Sequence, residues 1–317
     1  MKKPLIIIGG PTASGKSDIG VRLAKAIGGE IISADSMQVY RRMDIGTAKV
    51  TEEEMDGVKH YGIDVLDPSE DFNVTFFKDM AEKASSEIYA AGKIPIIVGG
   101  TGFYIQAFLY DIAFDEAGDS SSDETIRAEL QAIADEKGAE YLHSILKEVD
   151  EKAAEAIHPN NVKRVIRAIE YHRLTGSKIS EHNEEQSAKE SPYNYIYFAL
   201  TDDREALYER IDKRVDKMVD MGLIEEVEKL RSEGLTRSMV SMQGIGYKEI
   251  LDYLDGITSL EEALDIIKRE SRRYAKRQLT WLRRERQIVW LDREKLGSTE
   301  AILDYMLDYI KSVNFNN

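Results

Sequence analysis

Eight residues near the amino end, GPTASGKS (Gly10 to Ser17), leave this chain few choices of fold. They satisfy the spacing G-x-x-x-x-G-K-[ST], follow the apolar run PLIII (Pro4 to Ile8), and precede a segment with helical spacing. A glycine-rich loop between a strand and a helix turns its backbone N–H groups inward, and the helix N-terminus adds partial positive charge. Lys16 supplies an ammonium for a terminal phosphate, and Ser17 a hydroxyl for Mg²⁺. The pattern therefore predicts a polyphosphate site. It names no nucleoside, because the loop reads phosphate geometry alone.

Such a loop needs a sheet behind it. Apolar runs that read as buried parallel strands recur at 4–10, 30–35, 61–66, 93–100, 195–201 and 287–292, with helical spacing at 17–27, 74–91 and 104–109. This alternation predicts an α/β fold, a P-loop NTPase-like parallel sheet core. Beyond residue 111 the character changes. FDEAGDSSSDE (114–124) is acidic and rich in Ser, and the chain from there to about residue 187 is helical without strand signals. The expected organisation is a core of 1–112 and 193–317, with an inserted all-helical domain at 113–192. Long charged helices are expected at 203–233 and 259–284.

Composition excludes several classes. With no cysteine there are no disulfides and no thiolate metal sites, and the five histidines show no metal-ligand spacing. The amino-terminal sequence MKKPLIIIGGP is too short in apolar residues for a secretory core, and no run approaches a membrane span, so a cytoplasmic protein without membrane contact is expected. The balance of 43 basic and 58 acidic residues argues against wrapping by nucleic acid. Local charge runs the other way: Lys268 to Arg286 carries nine basic residues against two acidic ones.

Ligands of open α/β sheets bind beyond the carboxyl ends of the strands, so the strand ends hold the candidate chemistry. Asp35, where the second strand stops, is either a reactive carboxylate or a helix cap. IIVGGTGFY places Thr101 at a glycine-lined tip, where its hydroxyl can meet a leaving oxygen or simply sit in a tight turn. Arg210 and Arg214 are four apart and share a helix face, as phosphate clamps or as solvated partners of Glu209 and Asp216. Arg269, Arg272, Arg273, Lys276 and Arg277 recur at helical spacing as one stripe with Tyr274 and Trp281 among them, which suits RNA, or else a surface helix or strut. HPNNVKRVIRAIEYHRLTG in the insert gives a second basic spot.

Taken together, GPTASGKS, SADSMQVYRRMDIGTAK, VGGTGFY, HPNNVKRVIRAIE, RVDKMVDMGLIEEV, QGIGYKE and YAKRQLTWLRRE resemble the bacterial tRNA dimethylallyltransferases, also called tRNA isopentenyltransferases. The motifs run in the family's order over nearly the whole chain. The resemblance implies transfer of a dimethylallyl group from dimethylallyl diphosphate to N6 of the adenosine 3′ of the anticodon, in tRNAs that read U-starting codons. It implies that the loop holds a prenyl diphosphate rather than a nucleotide, with Mg²⁺ as the cofactor beside Ser17.

Carried over by motif, Asp35 matches the general base and Thr101 the hydroxyl near the leaving diphosphate. Gly10, Thr12, Ala13, Ser14, Gly15, Lys16, Ser17 and Arg214 match the diphosphate site. Asp35, Ser36, Met37, Gln38, Thr101, Arg127, Lys163, Arg164, Val165, Ile166, Arg167, Gln243, Gly244, Gly246, Tyr247, Lys248 and Arg277 match tRNA-contacting positions, which makes the insert a tRNA-binding domain. The partner is the tRNA anticodon stem-loop, and a monomer is expected. The zinc-finger extension of eukaryotic relatives has no counterpart here, so no zinc is expected. A P-loop kinase of a small molecule or nucleotide is the rival reading, and a non-enzymatic RNA-binding protein the third.

Overall fold

The computed structural model describes residues 2–113, 124–313 and 315. The acidic stretch at 114–123 lies outside them. Six parallel strands form one sheet in the order β3-β2-β4-β1-β5-β6: β1 (Lys3–Gly9), β2 (Gly29–Ala34), β3 (His60–Tyr61), β4 (Ile94–Gly99), β5 (Tyr193–Thr201) and β6 (Ile288–Asp292). Fifteen helices are described: α1 (Lys16–Ile27), α2 (Glu52–Met55), α3 (Val74–Ala90), α4 (Gly102–Leu109), α5 (Glu124–Lys137), α6 (Ala139–Val149), α7 (Glu151–Ala156), α8 (Val162–Thr175), α9 (Ile179–Ala188), α10 (Arg204–Asp220), α11 (Leu223–Ser232), α12 (Tyr247–Leu254), α13 (Leu260–Leu282), α14 (Arg293–Leu296) and α15 (Thr299–Ser312).

The central strand explains its own sequence. Leu5, Ile6, Ile7 and Ile8 are all 0% exposed. Ile6 and Ile8 pack with Ile19, Leu23, Phe198, Ile302 and Met306 under α1 and α15, and the alternation of a strand turns Leu5 and Ile7 to the opposite face. A strand covered on both faces needs apolar residues at every position, so its pattern is continuous rather than alternating. Burial of each such side chain contributes about 1.5–3 kcal/mol.

The sheet also places the phosphate loop. Chain order runs from β1 outward to β2 and β3 on one side, and from β5 to β6 on the other. The loop after β1 therefore sits at the switch point, where an open sheet leaves a crevice beyond its strand ends.

Two expectations change in the structure. The run at 61–66 is strand only at His60–Tyr61, with Leu66 joined to Tyr40 by an isolated bridge, because Gly62 (φ 81°) and Asp64 (φ 54°) turn the backbone into the left-handed region. The long helix expected at 203–233 is two helices, α10 and α11, broken at Gly222 with φ 99°. At 259–284 the helix is continuous: Ser259 caps α13, its hydroxyl accepting from the Glu262 N–H while the Glu262 carboxylate takes the Ser259 N–H.

The chain divides into two compact units, Met1–Phe108 with Pro192–Asn317, and Leu109–Ser191. The regular elements described in the second are all helices, and its core is built from Leu130, Leu142, Leu146, Val165, Ile166 and Ile169.

Candidate active site

At the end of β1 the chain passes through the loop into α1 by way of Gly15, whose φ of 83° is open to glycine and strained for other residues. Lys16 Nζ reaches the Pro11 carbonyl at 3.2 Å. Burial lowers the Lys16 pKa to about 8, against the attraction of Asp35, with Arg214 adding to the lowering. Burial likewise lowers the Arg214 pKa, and its guanidinium sits 3.4 Å from the Thr12 hydroxyl. Lys16 and Arg214 thus share one pocket with a single carboxylate, Asp35, in its wall. That arrangement is costly by itself and suits a ligand carrying several negative charges.

Asp35 follows β2. Its Oδ1 accepts from the N–H of Met37 at 2.9 Å and of Gln38 at 3.3 Å, which closes a turn, while no described residue bonds Oδ2. The carboxylate thus serves as a cap and still offers an oxygen to the crevice. What it caps is a turn, not the helix its sequence suggested.

Thr101 follows β4, whose end lies against that of β2. A Cβ at Gly99 would come within 2.2 Å of the Ala34 carbonyl oxygen, so only glycine permits this approach. The Thr101 hydroxyl is buried and lacks a protein hydrogen-bond partner of normal geometry. Beside it stands Tyr274 of α13, whose hydroxyl burial pushes up to about 12, with the charge of Asp35 adding to the shift. The phenol therefore keeps its proton.

These residues enclose connected spaces. A cavity of about 70 Å³ is lined by Thr12, Lys16, Ser17, Asp35, Arg214 and Tyr274. A second, of about 400 Å³, shares Thr12, Asp35, Arg214 and Tyr274 and is bounded further by Met37, Gly244, Lys248 and Arg277. Asp35 and Tyr274 line both, where the smaller cavity adjoins a space large enough for a flat heterocycle. A third cavity, of about 580 Å³, reaches Lys16, Ser17 and Arg214 from the side of Lys49, Glu54 and Lys217.

Other expected positions are held by partners of their own. Tyr247 is 1% exposed, with its hydroxyl donating to Glu226 Oε1 at 2.7 Å, so its side chain packs inside the protein. Val165 and Ile166 are buried in the insert's core, leaving Lys163, Arg164 and Arg167 outside that core on the same helix. Arg127 pairs with Glu170 at 2.8 Å within the insert. Gln38 lines the smaller cavity and donates to the Ala48 carbonyl at 3.0 Å, and Gln243 lines the larger one and donates to the Arg237 carbonyl.

The basic stripe on α13 is not one surface. Arg272 bonds Asp212 of α10 at 2.5 and 2.7 Å, and Lys268 pairs with Asp216 at 2.5 Å, so these two tie α13 to α10. Arg273 meets Glu270 at 2.7 Å, whereas Arg277 lies over the Tyr274 ring at 5.6 Å and lines the larger cavity. Arg210 and Arg214 also part company. Arg214 enters the pocket, while Arg210 bonds the Ala13 carbonyl at 3.1 Å and Asp202 at 2.5 Å.

Three participants carry little signal in the sequence. Tyr274 stands there only as an aromatic among charges. Gln278 accepts from the Thr12 N–H at 2.8 Å and donates to the Gly100 carbonyl at 3.1 Å, joining the two glycine loops. Its i+4 spacing from Tyr274 is the available signal. Glu226 accepts from the N–H groups of Asp44 and Ile45 at 2.8 Å each and of Gly46 at 3.1 Å, and nothing in its sequence context marks it.

Among the described residues no cluster of three or more His, Asp or Glu side chains could hold a metal ion. The fitting donor for Mg²⁺ is the Ser17 hydroxyl at the cavity wall, which suits an ion that arrives with the phosphate oxygens it binds. No described helix is long and apolar enough to cross a membrane.

Comparison with known proteins draws these observations together. The family model for IPP transferase matches residues 38–285, and that for isopentenyl transferase matches residues 3–65. A tRNA dimethylallyltransferase of Lachnoclostridium phytofermentans is 59% identical over 305 residues, covering 96% of each chain. The crystal structure of the tRNA isopentenylpyrophosphate transferase of Bacillus halodurans aligns with a TM-score of 0.71 at 47% identity over 98% of each chain. A eukaryotic dimethylallyltransferase acting on tRNA aligns with a TM-score of 0.83 at 30% identity, over 99% of this chain and 80% of that one.

Proposed function

The chain belongs to the IPP transferase family, and from that premise we propose how its cavities carry out dimethylallyl transfer to tRNA. The diphosphate of dimethylallyl diphosphate lies in the loop, against Lys16, Ser17 and Arg214. The acceptor is N6 of the adenosine 3′ of the anticodon in tRNAs that read U-starting codons, presented through the larger cavity. The observation that carries this reading is the shared wall: Asp35, Arg214 and Tyr274 border both the phosphate pocket and the space beside it.

The chemistry explains the residue types. An exocyclic adenine amine is a weak nucleophile, because its lone pair is delocalised into the ring. Asp35 Oδ2 accepts the amine proton as the C–N bond forms, while Oδ1 holds the carboxylate in place through two amides. The C–O bond to diphosphate breaks as charge moves onto the departing oxygen, and Lys16, Arg214 and the loop amides stabilise it. The Thr101 hydroxyl, buried beside Tyr274, is proposed to donate to that oxygen. Ser17 would hold Mg²⁺ together with the diphosphate, and the ion would supply further positive charge to the leaving group.

Walls of Tyr274 and Met37 limit water, which matters because an allylic carbon that gains positive charge reacts with any nucleophile present. Removing the base from its loop stack costs a few kcal/mol. The contacts proposed for it are Ser36, Met37, Gly244, Gly246, Lys248 and Arg277, and Lys163, Arg164 and Arg167 of the insert are proposed to bind the RNA backbone.

The test is to incubate the full chain with an anticodon stem-loop and dimethylallyl diphosphate, and to map the product by mass spectrometry. The expected result is one dimethylallyl increment on the adenosine 3′ of the anticodon, with release of diphosphate. Turnover of ATP without RNA modification overturns the reading.

A further inference from the structure

The outer side of the phosphate loop is held as firmly as its inner side is open. Ala13 has φ 60°, a left-handed conformation that strains any residue with a side chain. Such a loop keeps its shape only where its neighbours over-determine it. Here they do. The Ala13 carbonyl accepts from Arg210 Nε at 3.1 Å and the Ser14 carbonyl from Arg293 Nη1 at 2.9 Å. Asp202, its side chain 8% exposed, stands between the two arginines, 2.5 Å from Arg210 and 3.8 Å from Arg293.

We propose that Arg210 and Arg293, braced by Asp202, are positioning residues that hold the Ala13 and Ser14 carbonyls outward and so set the loop's affinity for diphosphate. A peptide has two ends, and turning its C=O away from the anion is what turns the loop's N–H groups toward it. Were either carbonyl to swing inward, it would set a partial negative charge against the diphosphate. The guanidiniums prevent this by giving each carbonyl a charged donor on the far side. They also leave the loop backed by two cations and one anion, a net positive charge that favours the ligand.

Arg293 explains a second feature of Gly15. A Cβ there would lie 2.5 Å from Arg293 Nη1, so any side chain would displace the arginine as well as strain the backbone. The braces come from the β5–β6 side of the sheet: Asp202 follows β5, Arg210 is on α10 and Arg293 opens α14 after β6. Closing the fold on that side thus finishes the phosphate site.

This inference rests on the loop's being the diphosphate cradle. Its test uses the full chain and its Arg293→Ala, Arg293→Lys and Asp202→Asn variants. Four quantities are measured: the calorimetric Kd for inorganic diphosphate with Mg²⁺, the KM for dimethylallyl diphosphate, the KM for tRNA, and the ligand-free Tm. Arg293→Ala is expected to raise the first two roughly 10- to 100-fold, with kcat within about threefold and the tRNA KM unchanged. Arg293→Lys should recover part of the loss, and Asp202→Asn should show a smaller loss of the same kind. Diphosphate affinity within twofold of wild type in Arg293→Ala overturns the inference alone. So does a loss of donor and tRNA binding together in step with a lower Tm. A wild-type chain that fails to bind diphosphate at all removes the cradle, and the inference with it.

Discussion

Lys16 and Arg214 lie in one buried pocket, distant in sequence and close enough that the guanidinium helps hold the ammonium pKa down. Burial does most of the lowering, to about 8, and Asp35 opposes it. A pocket poised in this way gains most when a multivalent anion enters, because the ligand relieves the repulsion and the desolvation of both cations together.

The pH dependence has a definite sign. In the ligand-free protein Lys16 carries its proton below about pH 8 and loses it above. Binding diphosphate to the charged form must take up a proton at higher pH. The kcat/KM for dimethylallyl diphosphate should therefore fall above pH 8, by up to tenfold per pH unit until the bound-state pKa governs. In the unfolded chain the ammonium keeps its proton up to the ordinary lysine value of 10.5, so burial of Lys16 costs stability below pH 8 and the cost fades as pH rises toward that value. Lys16→Met should accordingly raise the ligand-free Tm at pH 7 by about 2–4 °C while abolishing stabilisation by diphosphate. A kcat/KM profile flat to pH 10 contradicts the role given to Lys16.

Asp35 has two separable jobs, since Oδ1 caps a turn and Oδ2 faces the crevice. Asparagine keeps the capping oxygen and loses the basic one. Asp35→Asn should lower single-turnover transfer by about 10²- to 10⁴-fold with Tm and tRNA affinity near wild type. Near-normal transfer in this variant removes Asp35 as the base.

Arg214 contacts the loop through Thr12 and touches both site cavities. For Arg214→Ala the KM for dimethylallyl diphosphate should rise at least tenfold, more than the KM for tRNA. Steady-state kinetics with each substrate varied in turn checks this, and an unchanged donor KM takes the residue out of the site.

RNA binding should weaken linearly in log Kd against log salt. Replacing Lys163, Arg164 and Arg167 together by alanine should flatten the slope by about 2, if each neutralises one phosphate. Filter binding between low and moderate salt measures the slope, and the same slope in both proteins places the RNA elsewhere.

Glu226 gathers three backbone N–H groups and the Tyr247 hydroxyl. Glu226→Ala leaves all four donors without their acceptor and should destabilise the protein by about 2–3 kcal/mol in urea unfolding. Because Gly46, one of those donors, lines the larger cavity, the KM for tRNA should rise as well. Unchanged stability shows that the segment Asp44 to Gly46 holds itself.

The phosphate loop, the parallel sheet and the helical character of the insert were legible in the residues, because each rests on a local rule. A buried parallel strand must be apolar at every position, and a helix after a glycine loop must begin with an exposed N–H cradle. The divergence of Arg210 from Arg214 was not legible, since both sit on one stretch of α10 and only the packing of α10 against the loop and α13 sends one behind the cradle and the other into it. The same holds for α13. Its charges look alike in sequence, yet Lys268 and Arg272 brace α10 while Arg277 borders the cavity, and the uncharged Gln278 joins the two loops. Tyr247 stands in a glycine-rich motif that reads as an RNA contact, and tertiary packing buries it under Glu226. Sequence alone determined where the backbone could turn and where a loop of inward N–H groups could form, because those are short-range matters of φ angles and N–H direction. Which side chains reach that loop depends on contacts between strands and helices far apart along the chain, and only the folded structure decides those.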